Sequence, residues 1–207
     1  MLGLIVQLFV LCSPSAVLRA QEAPPTLPDG FKVGDAAPNV RLMGVDDRYL
    51  SFDDFAKVKG VIVIFTCNHC PYSIKYEDRI LALDAKYAAQ GYPVVAINPN
   101  DPKVEPGDSF DSMKVRAKEK AFTFPYLFDE TQVVARTFGA RRTPHVFVLS
   151  RQPKGYRVEY IGAIDDDASG KNITTRYVEK AVDALLAGTA PAESFTKAIG
   201  CTIKWKK

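Results

Sequence analysis

Val61-Ile62-Val63-Ile64-Phe65-Thr66-Cys67-Asn68-His69-Cys70-Pro71 is the stretch that decides how this chain folds. An unbroken apolar run rich in β-branched residues is the pattern of a central strand buried on both faces. Two cysteines three positions apart follow at once. After Pro71, Tyr76, Ile80, Leu83 and Tyr87 fall at helical spacing, and Gln90-Gly91 ends the helix. A strand that runs through Cys-x-x-Cys into a helix is the layout of a dithiol–disulfide redox site. Free backbone N–H groups and the positive end of the helix dipole favour a thiolate there, and a thiolate is the species that attacks disulfides. On this reading Cys67 is the outer, more acidic nucleophile and Cys70 the resolving thiol. His69, between them, is positioned to stabilise the Cys67 thiolate.

Working outward, Asn39 to Leu42 and Arg48 to Leu50 read as a β-hairpin turned at Asp46-Asp47, followed by a helical turn over 51–55 capped by Ser51. Pro93 to Ile97 reads as a second buried strand. Asn98 to Gly107 is a proline-rich loop, and Asp108 or Ser109 caps a helix that runs to about Lys120. Phe124 to Phe128 is a short apolar piece, and Thr131 to Phe138 a helix closed by Gly139. His145 to Leu149 and Tyr156 to Ile164 form an antiparallel pair around Gln152-Pro153-Lys154-Gly155. Ile173, Tyr177, Ala181 and Leu185 mark a last helix ended by Gly188. The order implies an α/β domain with a central mixed β-sheet flanked by helices and an N-terminal hairpin.

The 207 residues suffice for one such domain over 31–190, with 191–207 as a C-terminal tail. A net charge of +3 without a basic stripe gives no footprint for nucleic acid. Residues 1–20 are apolar from Leu2 to Val10 except at Gly3 and Gln7, and end in Val17-Leu18-Arg19-Ala20. That pattern reads as a secretory signal peptide, although no Lys or Arg precedes the apolar run. Residues 21–30 then form a Pro-rich tether. The expected location is extracytoplasmic, periplasmic or secreted, with no stable membrane insertion after cleavage. Cys67, Cys70 and Cys201 would remain, too few for a disulfide scaffold.

Gly34-Asp35-Ala36-Ala37-Pro38, the β-branched strand, the Cys-x-x-Cys and Arg142-Thr143-Pro144-His145 come in thioredoxin-fold order. The chain resembles a redoxin of the group that joins peroxiredoxins with extracytoplasmic thioredoxin-like proteins. Phe65 to Tyr72 and Val95 to Asp101 are similar to its peroxiredoxin-like branch. The resemblance implies a thioredoxin-like fold in which the Thr143–Pro144 bond is cis and packs against the dithiol, leaving the Thr143 backbone to pair with a substrate strand. It also implies that Cys201 lies in a tail found in that branch, as a second resolving thiol or a small buried residue. Three residues before Cys70 stands Cys67, and three before Cys67 stands Ile64, so the threonine of a peroxidatic centre is absent.

The expected function is thiol–disulfide exchange with protein substrates, using Cys67 and Cys70 with His69, Thr143 and Pro144, and an unidentified redox partner. Two alternatives are a peroxiredoxin-like peroxide reductase and a copper- or zinc-binding metallochaperone built on Cys67, Cys70 and His69 or His145. No cofactor and no resident metal are expected. Asp165-Asp166-Asp167 lacks the spaced ligands of a calcium loop and reads as a solvated turn. Asn172-Ile173-Thr174 fits a glycosylation sequon.

Overall fold

The computed structural model describes residues 30–55 and 57–207. The expected signal peptide, and the expected tether apart from Gly30, lie outside the described residues. In chain order the elements are β1 (Ala36–Ala37), β2 (Arg41–Gly44), β3 (Tyr49–Ser51), β4 (Gly60–Phe65), α1 (Pro71–Tyr87), β5 (Val94–Asn98) and α2 (Phe110–Glu119). They continue with β6 (Tyr126–Phe128), α3 (Val133–Phe138), β7 (Arg142–Thr143), β8 (His145–Arg151), β9 (Tyr156–Gly162), α4 (Tyr177–Leu186) and β10 (Cys201–Thr202). Eight strands form one sheet in the order β1-β9-β8-β4-β5-β6-β2-β3, while β10 and β7 make a separate two-stranded ribbon.

The deciding stretch lies at the centre of the sheet. Every residue of β4 is buried. It runs parallel to β5, with Val63 opposite Val95, and antiparallel to β8, with Val63 opposite Phe147. Side chains alternate across a strand, so β4 feeds two cores. Ile62 and Ile64 pack with Tyr76, Ile80 and Leu83 of α1 and with Val178 and Val182 of α4. Val61, Val63 and Phe65 face the other way, against Phe52 and the α3 residues Ala135 and Phe138. The mixed α/β sheet, the hairpin of β2 and β3, and the antiparallel β8–β9 pair all match the sequence reading. Among the described residues no helix is long and apolar enough to cross a membrane.

Several ends differ, for local reasons. Ser109 caps α2 by accepting from the Ser112 N–H at 3.3 Å, which leaves Asp108 for another purpose. The short apolar piece before Asp129 becomes β6, because its backbone completes the parallel edge of β5. α3 starts only at Val133, since Gln132 holds φ at 61°, and Gly139 closes it in the left-handed region at φ 72°, where glycine costs least. α4 begins at Tyr177, not near Ile173. The intervening loop is built on the acidic triplet, which is not a uniformly solvated turn: Asp165 is buried at 1% exposure. Arg79 donates to both of its carboxylate oxygens at 2.8 and 2.6 Å, and the Tyr76 hydroxyl donates to it at 3.1 Å. The segment expected as a tail folds back onto the domain, where Phe195 bridges to Ile161 and Cys201 joins β10.

Removing one partner of a buried ion pair leaves the other charge uncompensated. Asp165→Ala strands Arg79 and is expected to lower stability by about 3 kcal/mol in urea unfolding. The exposed change Asp78→Ala should stay within about 0.5 kcal/mol of wild type.

Candidate redox site

The loop between β4 and α1 carries both cysteines of the motif. Cys70 is the N-cap of α1, with extended backbone and Pro71 at the first helical position. Proline fits there because its missing N–H would have had no helical partner. Cys67 lies three residues earlier, outside the helix. Cys70 therefore sits at the positive end of the helix dipole, without a side-chain capping bond of its own, while its backbone N–H bonds to the Cys67 sulfur.

Cys67 is a free thiol, 3% exposed, and Cys70 is fully buried in a disulfide with Cys201, across 6.3 Å between Cα atoms. Both sulfurs touch one residue. Cys67 Sγ is 3.2 Å from Thr143 Oγ1, and Cys70 Sγ is 3.3 Å from the Thr143 carbonyl oxygen. The Thr143–Pro144 bond is cis, as the resemblance implied. The Thr143 backbone is not left open, however. β10 lies antiparallel to β7, with Cys201 directly opposite Thr143.

Two expectations for the pair are thus corrected. Cys67 is the outer of the two cysteines, at 3% exposure against 0% for Cys70, but it is not acidic: burial pushes its pKa up and the nearby Asp108 carboxylate adds to the rise, while the Thr143 hydroxyl, the Cys70 N–H and the Ser73 hydroxyl pull it partly back. Nor is Cys70 paired with Cys67 here, because Cys201 occupies its sulfur.

His69 also has a different partner from the one expected. Its Nδ1 is 2.5 Å from Asp108 Oδ2 but 3.9 Å from Cys67 Sγ, so the ring proton on that nitrogen goes to the carboxylate. Nε2 lies 3.5 Å from Glu105 Oε2. Asp108 is the residue that sequence reasoning missed, having treated it only as a possible helix cap. It is fully buried, and it accepts from the Asn68 N–H at 2.7 Å, the His69 N–H at 3.2 Å and Asn100 Nδ2 at 2.7 Å as well as from His69 Nδ1. The available signal was an Asp-Ser pair at one helix start, where a single cap suffices.

Cys67, His69 and Asp108 offer ligand atoms within 4.8 Å of one another, a spacing a metal could bridge. Four donors already occupy the Asp108 oxygens, so a metal there would have to displace hydrogen bonds that hold the loop. His145 stays apart from this group. It shares a sheet face with Phe147, 4.8 Å away between ring centres, and that face packs on α3, across the sheet from α1. Burial, then the Arg142 and Arg141 charges, lower its pKa to about 4.

A mixed sheet with a strand–helix thiol loop facing a Thr-Pro turn defines a thioredoxin-fold redoxin. The AhpC/TSA family model matches residues 33–161, and the chain belongs to that family. A thiol-disulfide oxidoreductase ResA from Geobacillus thermodenitrificans is 25% identical over 125 residues, which span 59% of this chain and 66% of that protein. Two solved structures are similar over nearly the whole described fold. An uncharacterized conserved protein from Geobacillus kaustophilus has a TM-score of 0.79 at 35% identity, covering 85% of this chain and 93% of the other. A hypothetical protein from Sinorhizobium meliloti has a TM-score of 0.79 at 31% identity, covering 86% and 96%.

Two pH effects are expected. His145 is protonated in the unfolded chain below its usual pKa of 6.5 but in the folded protein only near 4. Stability should therefore fall as pH drops through that window, and His145→Gln should flatten the slope in thermal denaturation. Separately, alkylation of Cys67 should accelerate with pH to a midpoint above 9.0, the ordinary thiol value. Asp108→Asn, which removes the repelling charge, should move that midpoint down.

Proposed function

We propose that this protein is a thiol–disulfide oxidoreductase in which Cys70 exchanges with the partner's sulfur and Cys67 resolves the mixed disulfide. The observation that carries this reading is the convergence on Thr143: a free thiol and one half of a disulfide sit on the same residue, at a helix N-terminus. The roles are the reverse of those expected from the motif alone. Cys70 has the helix dipole to stabilise it as attacking or leaving thiolate, whereas burial and Asp108 keep Cys67 protonated.

The Cys70 thiolate attacks a disulfide in a protein substrate, joining one substrate sulfur to Cys70 and releasing the other as a thiolate. Cys67 then gives up its proton and attacks Cys70, which forms Cys67–Cys70 and frees the reduced substrate. An external dithiol returns the pair to the reduced state; run backwards, the same steps oxidise a substrate. The Thr143 hydroxyl and the Ser73 hydroxyl, 3.7 Å away, are the groups that stabilise the developing charge on Cys67. His69 acts through Asp108 as a positioning residue. The thiol-disulfide oxidoreductase activity of the Geobacillus thermodenitrificans relative supports the reading, as does the family assignment. The apolar leader and the Cys70–Cys201 disulfide support a location outside the reducing cytosol.

In dithiothreitol-coupled reduction of insulin disulfides, Cys70→Ser is expected to fall to the uncatalysed rate. The double variant Cys67→Ser, Cys201→Ser, which lacks both thiols able to resolve it, should complete one exchange and accumulate a mixed disulfide at Cys70, seen by non-reducing mass spectrometry. Wild-type inactivity on insulin, or full activity of Cys70→Ser, overturns the assignment. Peroxide consumption with a sulfenate trapped on Cys67 or Cys70 would instead favour peroxide reduction.

A further inference from the structure

We propose that residues 199–203 are a built-in copy of the substrate: the tail occupies the place of an incoming strand, and its sequence reports what that strand must be. The inference rests on the reading of Cys70 as the exchanging sulfur. Cys201 is bonded to Cys70, and its backbone lies antiparallel to Arg142 and Thr143, the edge a substrate strand would use. The neighbours of Cys201 are selected by shape. A Cβ on Gly200 would stand 2.3 Å from the Thr143 carbonyl oxygen and 2.9 Å from Pro144 N, so only glycine allows that approach. The Gly200 carbonyl accepts from the Arg142 guanidinium at 2.8 Å. Two residues beyond Cys201, Ile203 is 3% exposed and packs into the core on the α3 side of the sheet, while Thr202 between them is exposed. The substrate class is therefore an extended segment with glycine immediately before its cysteine and a large aliphatic residue two positions after it.

The docked tail and the substrate compete for one edge and one sulfur. Cys67 opens the site by the same step that resolves a substrate. Its thiolate attacks Cys70 Sγ, the Cys67–Cys70 bond forms, the Cys70–Cys201 bond breaks, and Cys201 leaves as a thiolate that takes up the proton Cys67 released. Electrons balance within the chain, because one disulfide replaces another. In the docked state the tail is also held past the cysteine, and these bonds yield with Ile203 when a substrate strand enters: the Lys204 N–H donates to Asn100 Oδ1 at 2.8 Å, and Gln132 Nε2 donates to the Lys204 carbonyl at 2.8 Å.

The test uses the full chain held in dithiothreitol redox buffers, then acid-quenched, alkylated and mapped by mass spectrometry. Wild type should show Cys67–Cys70 and Cys70–Cys201 in exchange, with Cys201 alkylated whenever the first is present, and Cys67→Ser should hold only the second. Gly200→Ala should shift the ratio at least about five-fold towards Cys67–Cys70, the scale of an overpacked contact, whereas Thr202→Ala should not shift it. A second readout uses peptides with the sequence of residues 197–204, presented as mixed disulfides with a chromogenic thiol, against the Cys201→Ser protein. The glycine peptide should exceed its alanine counterpart at the Gly200 position by at least about five-fold in kcat/KM. Equal rates for the two peptides, with insulin still reduced, overturn the substrate copy and leave the oxidoreductase reading standing. Failure to reduce insulin and both peptides overturns that reading and the copy with it. A Gly200→Ala ratio equal to wild type also overturns the copy.

Discussion

One buried carboxylate holds the strand–helix loop of this redoxin in place. Asp108 reaches from the start of α2 and accepts from two backbone N–H groups, one imidazole and one amide around the loop. Hydrogen bonds to a charged group are each worth roughly 1.5–3 kcal/mol, and a buried charge without them would be costly. The carboxylate therefore cannot leave its donors, and the loop cannot leave the carboxylate. Cys67 and Cys70 inherit their positions against Thr143 from that constraint.

The same charge also sets the chemistry of the site. A carboxylate beside a buried thiol disfavours the thiolate, so Cys67 is held towards its protonated form. Cys70 stands at the open end of α1, where the helix dipole has the opposite sign. Two cysteines three residues apart thereby stand in different electrostatic surroundings. Neither sulfur is open to solvent, because the strand of Cys201 closes over Thr143. Access is consequently a property of the tail, whose grip depends on a missing Cβ at Gly200 and a buried aliphatic group at Ile203.

Much of the fold was legible wherever burial leaves a periodic trace. The run from Val61 to Phe65 is apolar on both faces because β4 feeds two cores, and α1 shows the helical spacing that packs it on one of them. Short elements were harder to read. β6 has three residues and is recruited by the edge of β5, while α3 is delayed by the backbone of Gln132. Asp165 sat in a run of three acids that looked solvated, and Arg79 and Tyr76, from a distant helix, supply the donors that stabilise its buried charge.

The sequence by itself determined the strand–Cys-x-x-Cys–helix unit, the Thr143-Pro144 turn and the order of elements that makes a thioredoxin-like sheet, because these are written in local patterns of apolarity and turn residues. Tertiary structure alone decided that the Cys67 thiol is the reverse of acidic, what His69 and Asp108 touch, and which cysteine Cys70 binds. Each of these depends on groups far apart along the chain: Asp108 lies 39 residues from His69, and Cys201 lies 131 from Cys70. Electrostatic fields and sulfur–sulfur contacts act through space, and only the packed chain brings those partners within range.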